Sequence, residues 1–278
     1  MHFGVDLDLT DYGVGISDLA RWVEAAGLES LFLTQRIHLP ASRGELLEQE
    51  GHEMDANLLD PFVALGAAAA VTSRIKLGTG ACYAALYDPI ILAKQVATLD
   101  HVSSGRFLFG ITPGWLEDEV RNHGVNPALR WQVMREKVLA MKAIWTGEKV
   151  EFHGRFVDFA PILTGLKPLQ LPYPPILVGS NGPGGRARAL EYGDEWFPIV
   201  SDKLDLRAEL EELRQSCQAA GRDSIPVTAF LWELDEGLLQ RCAELGVGRC
   251  LVYLYPTRRE LVENFLERCA RLSSRLAD

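Results

Sequence analysis

The chain runs to 278 residues, enough to bury the core of one α/β barrel or of two smaller domains. Its composition, 47% hydrophobic and 24% charged, is that of a soluble globular protein, and a net charge of −10 without a basic block argues against nucleic acid as the main partner. The apolar segments are short and broken by Gly, Pro or charge, so none is expected to cross a bilayer.

In chain order, strand-like apolar runs fall at 3–7, 30–34, 75–79, 107–112, 176–179, 196–200, 227–231 and 250–255. Amphipathic helical patterns occupy 17–26, 61–71, 89–102, 130–145, 185–192, 204–220, 235–245 and 258–276. Two of these helices open on an acidic residue followed by proline, Asp60-Pro61 and Asp88-Pro89. The Asp can accept from the free N–H groups of the first turn, and the Pro supplies the φ that the first helical position requires. Near-continuous apolar strands alternating with helices predict a parallel sheet covered by helices. Eight such units in a chain of this length favour an α/β architecture of the closed (β/α)8 TIM-barrel type, a single domain over 1–278. Two stretches break the spacing. The polar, acidic 39–57 is too long for a simple turn after the second strand. After the fourth, 145–174 carries a predicted hairpin with arms 149–152 and 155–159 about His153-Gly154. Insertions of this size on a barrel are usually lids over the active face or interface material.

The segment from Ile75 to Trp115 is the most informative. Its two strands end in Thr79-Gly80-Ala81 and Thr112-Pro113-Gly114-Trp115, so small residues leave an open rim at the carboxyl end, where barrels of this kind keep their chemistry. The run Gly179-Ser180-Asn181-Gly182-Pro183-Gly184-Gly185 follows the fifth strand and leads into a helix. Converging backbone N–H groups, two polar side chains and a helix start suit an anion there. Arg186 and Arg188 either add positive charge to that site or are solvated helix residues. Asp6 and Asp8 share one face of the first strand, placed to orient a substrate or to cap a loop. Trp115, Trp196 and Tyr83 lie just beyond strand ends, where they can wall a ring or pack into the core. His52-Glu53 has no helical His partner, since position 56 is Ala, and no metal site is expected. Lys94 reads as a structural helix residue. The cysteines Cys82, Cys217, Cys242, Cys250 and Cys269 form no CxxC pair and are odd in number. With an opening MHFGVDLDLTDYG that lacks a basic start and a long apolar run, they imply reduced thiols in a cytoplasmic protein.

Three segments carry a family resemblance: YDPIILAKQVATLDHVSSGRFLFGITPGW, IWTGEKVEFHGRFVDF and PPILVGSNGPGGRARALEYGDEWFP. In this order, and on to GVGRCLVYLYP, they resemble the luciferase-like oxidoreductases. That superfamily includes bacterial luciferase, flavin monooxygenases and the dehydrogenases and reductases that use the deazaflavin coenzyme F420. The pattern P-x-x-x-A-K-Q-x-A-T-L-D-x-x-S-x-G-R around Lys94 and Arg106 is far more specific than a lone glycine motif. The resemblance implies a luciferase-like barrel that binds coenzyme F420, or alternatively FMN, at its carboxyl-end rim, takes a small organic substrate and pairs as a homodimer. It implies that Gly179, Ser180, Asn181 and Gly182 hold the cofactor's phosphate. It also implies a bulge at Thr79, Gly80 and Ala81, often with a cis non-prolyl peptide, behind the central ring. The residue readings add Asp6, Thr112 and Trp196 as cofactor contacts.

Related sequences usually carry an acidic residue and His where this chain has Gln35 and Arg36. A guanidinium stays protonated, so Arg36 cannot serve as a general base, although it can pair with an anionic ring oxygen or a substrate carboxylate. His38 falls on the same side two residues on and is the alternative proton-transfer group. Arg36 and His38 are therefore the catalytic candidates for hydride transfer between F420 and a substrate, or for FMN-dependent monooxygenation. A barrel aldolase or isomerase would place Lys or clustered acids at strand ends, which here are Thr34, Thr79, Thr112 and Gly179. A flavin-binding protein without turnover is the third reading, prompted by Gln35-Arg36.

Overall fold

Strands covered on both faces must be apolar on both, and here the period of two sorts each residue to the barrel interior or to the surrounding helices. The computed structural model describes residues 1–41, 43, 58–255 and 258–277. Its strands are β1 (His2–Leu7), β2 (Ser30–Leu33), β3 (Lys76–Thr79), β4 (Cys82–Tyr83), β5 (Phe107–Thr112), β6 (Lys149–His153), β7 (Asp158–Leu163), β8 (Ile176–Gly179), β9 (Glu195–Phe197), β10 (Thr228–Leu231) and β11 (Arg249–Tyr253). Hydrogen bonding runs β10–β11–β1–β2–β3–β5–β8–β9 with every pair parallel. Parallel bridges from Trp196 to Val227 and from Ile199 to Phe230 bring the two ends of that order together. The result is the expected (β/α)8 barrel. Phe32, Leu108, Leu177, Phe197, Phe230, Leu251 and Tyr253 fill its interior with Ala81. Their strand neighbours, such as Leu31, Leu33, Phe109, Val178 and Val252, face the helices. Gly78 makes room for Phe32, because a Cβ there would sit 2.4 Å from the ring.

The helices are α1 (Ile16–Ala25), α2 (Pro61–Val71), α3 (Pro89–Val102), α4 (Glu117–Asn122), α5 (Arg130–Thr146), α6 (Gly182–Tyr192), α7 (Leu206–Ala219), α8 (Glu236–Glu244) and α9 (Arg259–Ala277). The Asp-Pro signals act as expected. Asp60 accepts from Val63 N at 2.9 Å, and Asp88 accepts from Ile90 N and Ile91 N at 2.9 Å each. The family-specific motif proves to be scaffolding. Arg106 donates from Nε to Ser103 O (2.7 Å), from Nη1 to Thr72 Oγ1 (3.0 Å) and Ile75 O (2.8 Å), and from Nη2 to Ala69 O (3.1 Å) and Thr72 O (3.0 Å). Fully buried Asp100 accepts from Leu169 N (2.7 Å), Gln170 N (2.9 Å) and Gln170 Nε2 (2.7 Å), tying the segment before β8 to α3. Lys94 lies on the exposed side of α3.

Sequence and structure part in a few places. The hairpin forms, but its second arm is β7, and the turn closes with His153 opposite Asp158 rather than at His153-Gly154. The cause lies on α5: Glu136 accepts from the N–H groups of Arg155 (3.1 Å), Phe156 (2.7 Å) and Val157 (3.1 Å), which takes those residues out of strand pairing. Short β4, α4 and the 3-10 turns Ala84–Leu86 and Pro127–Leu129 carry no periodic pattern and were not foreseen. Most of the acidic insertion at 39–57 lies outside the described residues. Among the described residues no helix is long and apolar enough to cross a membrane.

Candidate active site at the carboxyl-end mouth

The inner-face residues nearest the carboxyl ends are Asp6 on β1, Gly80 after β3, Gly110 and Thr112 on β5, and Gly179 on β8. Beyond Thr79 the chain turns through a cis Gly80–Ala81 peptide into β4, which pairs with β5 through Cys82–Ile111 and Tyr83–Thr112. The bulge expected at this position is therefore present. It is held by Gly80 N donating to Leu33 O (2.9 Å) and by Thr79 Oγ1 donating to Gly110 O (2.7 Å). The buried Thr79 hydroxyl is thus committed to the neighbouring strand. Gly110 must be glycine, since a Cβ would lie 2.0 Å from Thr79 O. Thr112 is half-buried at the rim.

Asp6 lies directly beneath the bulge. A Cβ on Gly80 would meet its Oδ2 at 2.1 Å, so carboxyl and glycine are fitted to each other. Asp6 is completely buried; Oδ1 accepts from Thr34 Oγ1 at 3.3 Å, and Oδ2 has no hydrogen-bond partner. Burial, reinforced by the nearby Asp8 charge, pushes its pKa well above the usual carboxylate range. The folded protein then keeps a proton that the unfolded chain releases above about pH 4, so stability falls as pH rises through that window. Asp6→Asn, uncharged throughout, is expected to melt at a higher temperature than the native protein at pH 7, with the gap closing towards pH 4. An equal gain at both pH values would mean that Asp6 does not hold its proton.

After β2 the chain is clamped from several directions. Buried Gln35 donates to the Tyr87 hydroxyl and accepts from Tyr83 N at 2.6 Å, so it holds β4 in place. Fully buried Glu119 on α4 accepts from Ile37 N (3.0 Å) and His38 N (3.3 Å). Its Oε2 has no hydrogen-bond partner. The His38 ring meets Asn122 Nδ2 at 3.0 Å through Nε2 and lies 5.4 Å from the His123 ring. Desolvation first, and then the His38 charge, lowers the His123 pKa. Arg36 is half-buried; burial is the largest cause of the raised Tyr83 pKa, the Glu119 charge adds to it and the Arg36 charge opposes it. Nothing in the sequence signals Glu119 as the support of the arm that carries Arg36 and His38.

The loop after β8 differs from expectation in its side chains. Asn181 precedes α6 but does not cap it: its Nδ2 donates to Ile199 O (2.7 Å) and its Oδ1 accepts from Ile199 N (2.8 Å). The start of α6 therefore has no side-chain cap. Gly182 has φ +70°, and Gly185 is required because a Cβ would meet Ser180 O at 2.3 Å. The Ser180 hydroxyl makes only a marginal 3.5 Å contact to Asn181 O. The two arginines differ: the Arg188 guanidinium lies beside Gly184 in the first turn of α6, whereas Arg186 is drawn away from it. Buried Arg186 pairs with Glu209 and Glu212 of α7, and Arg188 stacks over the Trp131 ring at 3.8 Å. Trp196 is fully buried in the outer core, its Nε1 donating to Ser180 O at 2.7 Å, so it presents no ring face to the mouth. The physical reason is parity: β9 begins at Glu195, which turns Phe197 inward and Trp196 outward.

Inner-face aromatic residues on β10 and β11 were missed. Phe230 and Trp232 are two apart, as are Tyr253 and Tyr255, and that spacing in FLW and YLY was the available signal. Their rings meet edge-on at centroid separations of 4.8 Å (Phe230–Trp232), 5.2 Å (Trp232–Tyr253) and 4.8 Å (Tyr253–Tyr255).

Comparison with known proteins adds identity to this geometry. The model of the luciferase-like monooxygenase family matches residues 12–231. An uncharacterised protein of Mycobacterium tuberculosis is 36% identical over 280 residues, covering 97% of this chain and 98% of its own. The FMNH2-dependent dimethylsulfone monooxygenase of Pseudomonas putida is 31% identical over 218 residues, 77% of this chain and 56% of that enzyme. The F420-dependent glucose-6-phosphate dehydrogenase of Kineococcus radiotolerans is 31% identical over 212 residues, 74% and 59% respectively. Among solved structures, an F420-dependent secondary alcohol dehydrogenase in complex with an F420-acetone adduct superposes with a TM-score of 0.78 at 18% identity, covering 97% of this chain and 99% of that one. The barrel, its bulge after β3 and these matches make the chain a member of the luciferase-like monooxygenase family, whose enzymes are flavin- or F420-dependent oxidoreductases and monooxygenases.

Proposed function

We propose that this chain is an oxidoreductase that seats a deazaflavin ring at the barrel mouth and passes a hydride between coenzyme F420 and a small organic substrate. The observation that carries this reading is the Gly80–Ala81 bulge with the Asp6 carboxyl beneath it. A flat backbone surface without a protruding side chain suits a ring. The uncapped start of α6, the Ser180 hydroxyl and Gly179 suit a phosphate, and Asn181 would keep their spacing through Ile199. When bound, the coenzyme supplies the two-electron chemistry. The residues of the chain supply its setting. Burial favours the neutral form of Asp6 beneath the ring. Arg36 offers a fixed positive charge to an anionic oxygen of the ring. His38, held through its backbone by Glu119, is the proton-transfer candidate of the site. The reading extends to a cytoplasmic homodimer.

The second reading, FMN-dependent monooxygenation of a small organic substrate, is favoured by the similarity to the dimethylsulfone enzyme. Two reactions separate the two. Under anaerobic conditions with reduced or oxidised F420 and a panel of alcohols and carbonyl compounds, the hydride-transfer reading expects a change in the deazaflavin absorbance. With FMNH2 and oxygen it expects no oxygenated product. Oxygenated product with FMNH2, and no turnover of F420, would favour the second reading.

A further inference from the structure

Trp232, one residue past β10, and Tyr255, two past β11, are 51% and 58% exposed, unlike the sealed residues below them. Each continues the inward parity of its strand, Thr228–Phe230–Trp232 and Leu251–Tyr253–Tyr255. Beneath them, Phe230 and Tyr253 are less than a tenth exposed and pack edge-on against them, so the two outer rings rest on a fixed base. Ile199, bridged to Phe230 and 44% exposed, extends the apolar surface towards β9. Acidic residues predominate at these strand ends, and the nearest base along the chain after Tyr255 is Arg258. Residues 228–235 carry Glu233 and Asp235, residues 7–10 carry Asp8, and these stretches and 250–255 contain no Lys or Arg. The Asp8 charge, after burial, raises the pKa of the Tyr253 hydroxyl, which puts a carboxylate near the foot of the aromatic group. The surface lies across the mouth from the bulge after β3: β11 pairs with β1, and β1 reaches β3 only through β2.

We infer that Trp232 and Tyr255 form a stacking wall that selects the substrate, admitting planar aromatic or conjugated ring molecules that are neutral or cationic and disfavouring anions. This deepens the proposed function and rests on that reading for the cofactor's place. Both rings pack edge-on against the same Tyr253 ring, Trp232 at 5.2 Å and Tyr255 at 4.8 Å between centroids, so they offer faces and edges to a flat molecule rather than a cage for a compact ammonium ion. Asp8 and its acidic neighbours reward positive charge on the ring and repel a carboxylate.

The test uses calorimetric titration of the full chain with three matched probes: 1-methylquinolinium, quinoline and quinoline-3-carboxylate. F420 and FMN are titrated into the same preparations. The expected order is methylquinolinium and quinoline bound, with the carboxylate at least about tenfold weaker. Trp232→Ala and Tyr255→Ala should each weaken ring binding roughly tenfold, while Trp232→Phe retains most of it. Both side chains are half in solvent, so the variants are expected to fold, and cofactor affinity should stay within about twofold in all three. Equal ring affinity in the alanine variants, or a carboxylate bound as tightly as the cation, would overturn the inference. So would loss of cofactor binding in Trp232→Ala, because the wall would then belong to the coenzyme. Cofactor binding without ring binding removes the wall and leaves the proposed function; ring binding without either cofactor does the reverse.

Discussion

Gly80→Ala is expected to abolish cofactor binding and to destabilise the fold by about 1–3 kcal/mol. The new methyl would lie 2.1 Å from Asp6 Oδ2, 2.6 Å from Cγ and 2.8 Å from Oδ1. Asp6 cannot move aside, since it is fully buried with Thr34 on one oxygen and its strand paired on both sides. The backbone of the bulge must therefore shift, and the surface that would receive the ring shifts with it. Denaturant unfolding and a cofactor titration on the variant read the two effects separately. The double variant Asp6→Ala/Gly80→Ala should recover part of the stability, because the clash is removed. If Gly80→Ala bound cofactor normally, the bulge would not be the ring's support.

Arg249→Ala is expected to be the most destabilising single change, about 3–5 kcal/mol, without touching the mouth. Arg249 closes the amino end of the barrel. Its Nε and Nη2 each donate to Glu29 at 2.9 Å, and its Nη1 donates to Thr228 Oγ1 at 3.0 Å and approaches Glu195 Oε2 at 3.4 Å. The Thr228 hydroxyl donates to the same Glu195 oxygen at 2.7 Å. Burial pushes the Glu29 pKa up, but the Arg249 hydrogen bonds and charge outweigh it and leave the carboxyl below its usual range. Its contribution is therefore present at neutral pH and fades as pH falls through that lowered value. Removing Arg249 strands two carboxylates with little solvent, which is where the large effect arises. Adding Glu29→Gln to Arg249→Ala should return part of it, and an Arg249→Ala protein as stable as the native one would refute this assignment.

What was legible in the sequence follows from what is local. Parallel strands are apolar on both faces and stand out as runs, and Asp-Pro pairs mark helix starts, so the barrel and the starts of α2 and α3 could be read directly. The resemblance motif located the bulge. Side-chain roles depended on partners far along the chain and were not readable. Asn181 is committed to Ile199, Arg186 to Glu209 and Glu212, and Gln35 to Tyr83 and Tyr87. Asn181 reads as a phosphate contact, and Arg186 as one of two charges offered there, because both are polar and follow the fifth strand. Trp196 failed differently: it reads as lying just beyond a strand end, whereas β9 carries it in mid-strand, packed into the outer core. The hairpin register failed because Glu136, about twenty residues earlier, captures the turn's amide groups. Asp6 shows the converse, since it reads as an ordinary rim carboxylate until the fold shuts it beneath Gly80.

Equilibrium titration of the purified protein with F420 and with FMN, followed by fluorescence quenching, tests most directly whether the mouth receives a tricyclic redox coenzyme. The account predicts saturable binding of F420 by the native chain and its loss in Gly80→Ala, with Lys94→Ala, on the exposed side of α3, binding as the native chain does. Quenching by neither coenzyme, or equal binding by the native chain and Gly80→Ala, would contradict it.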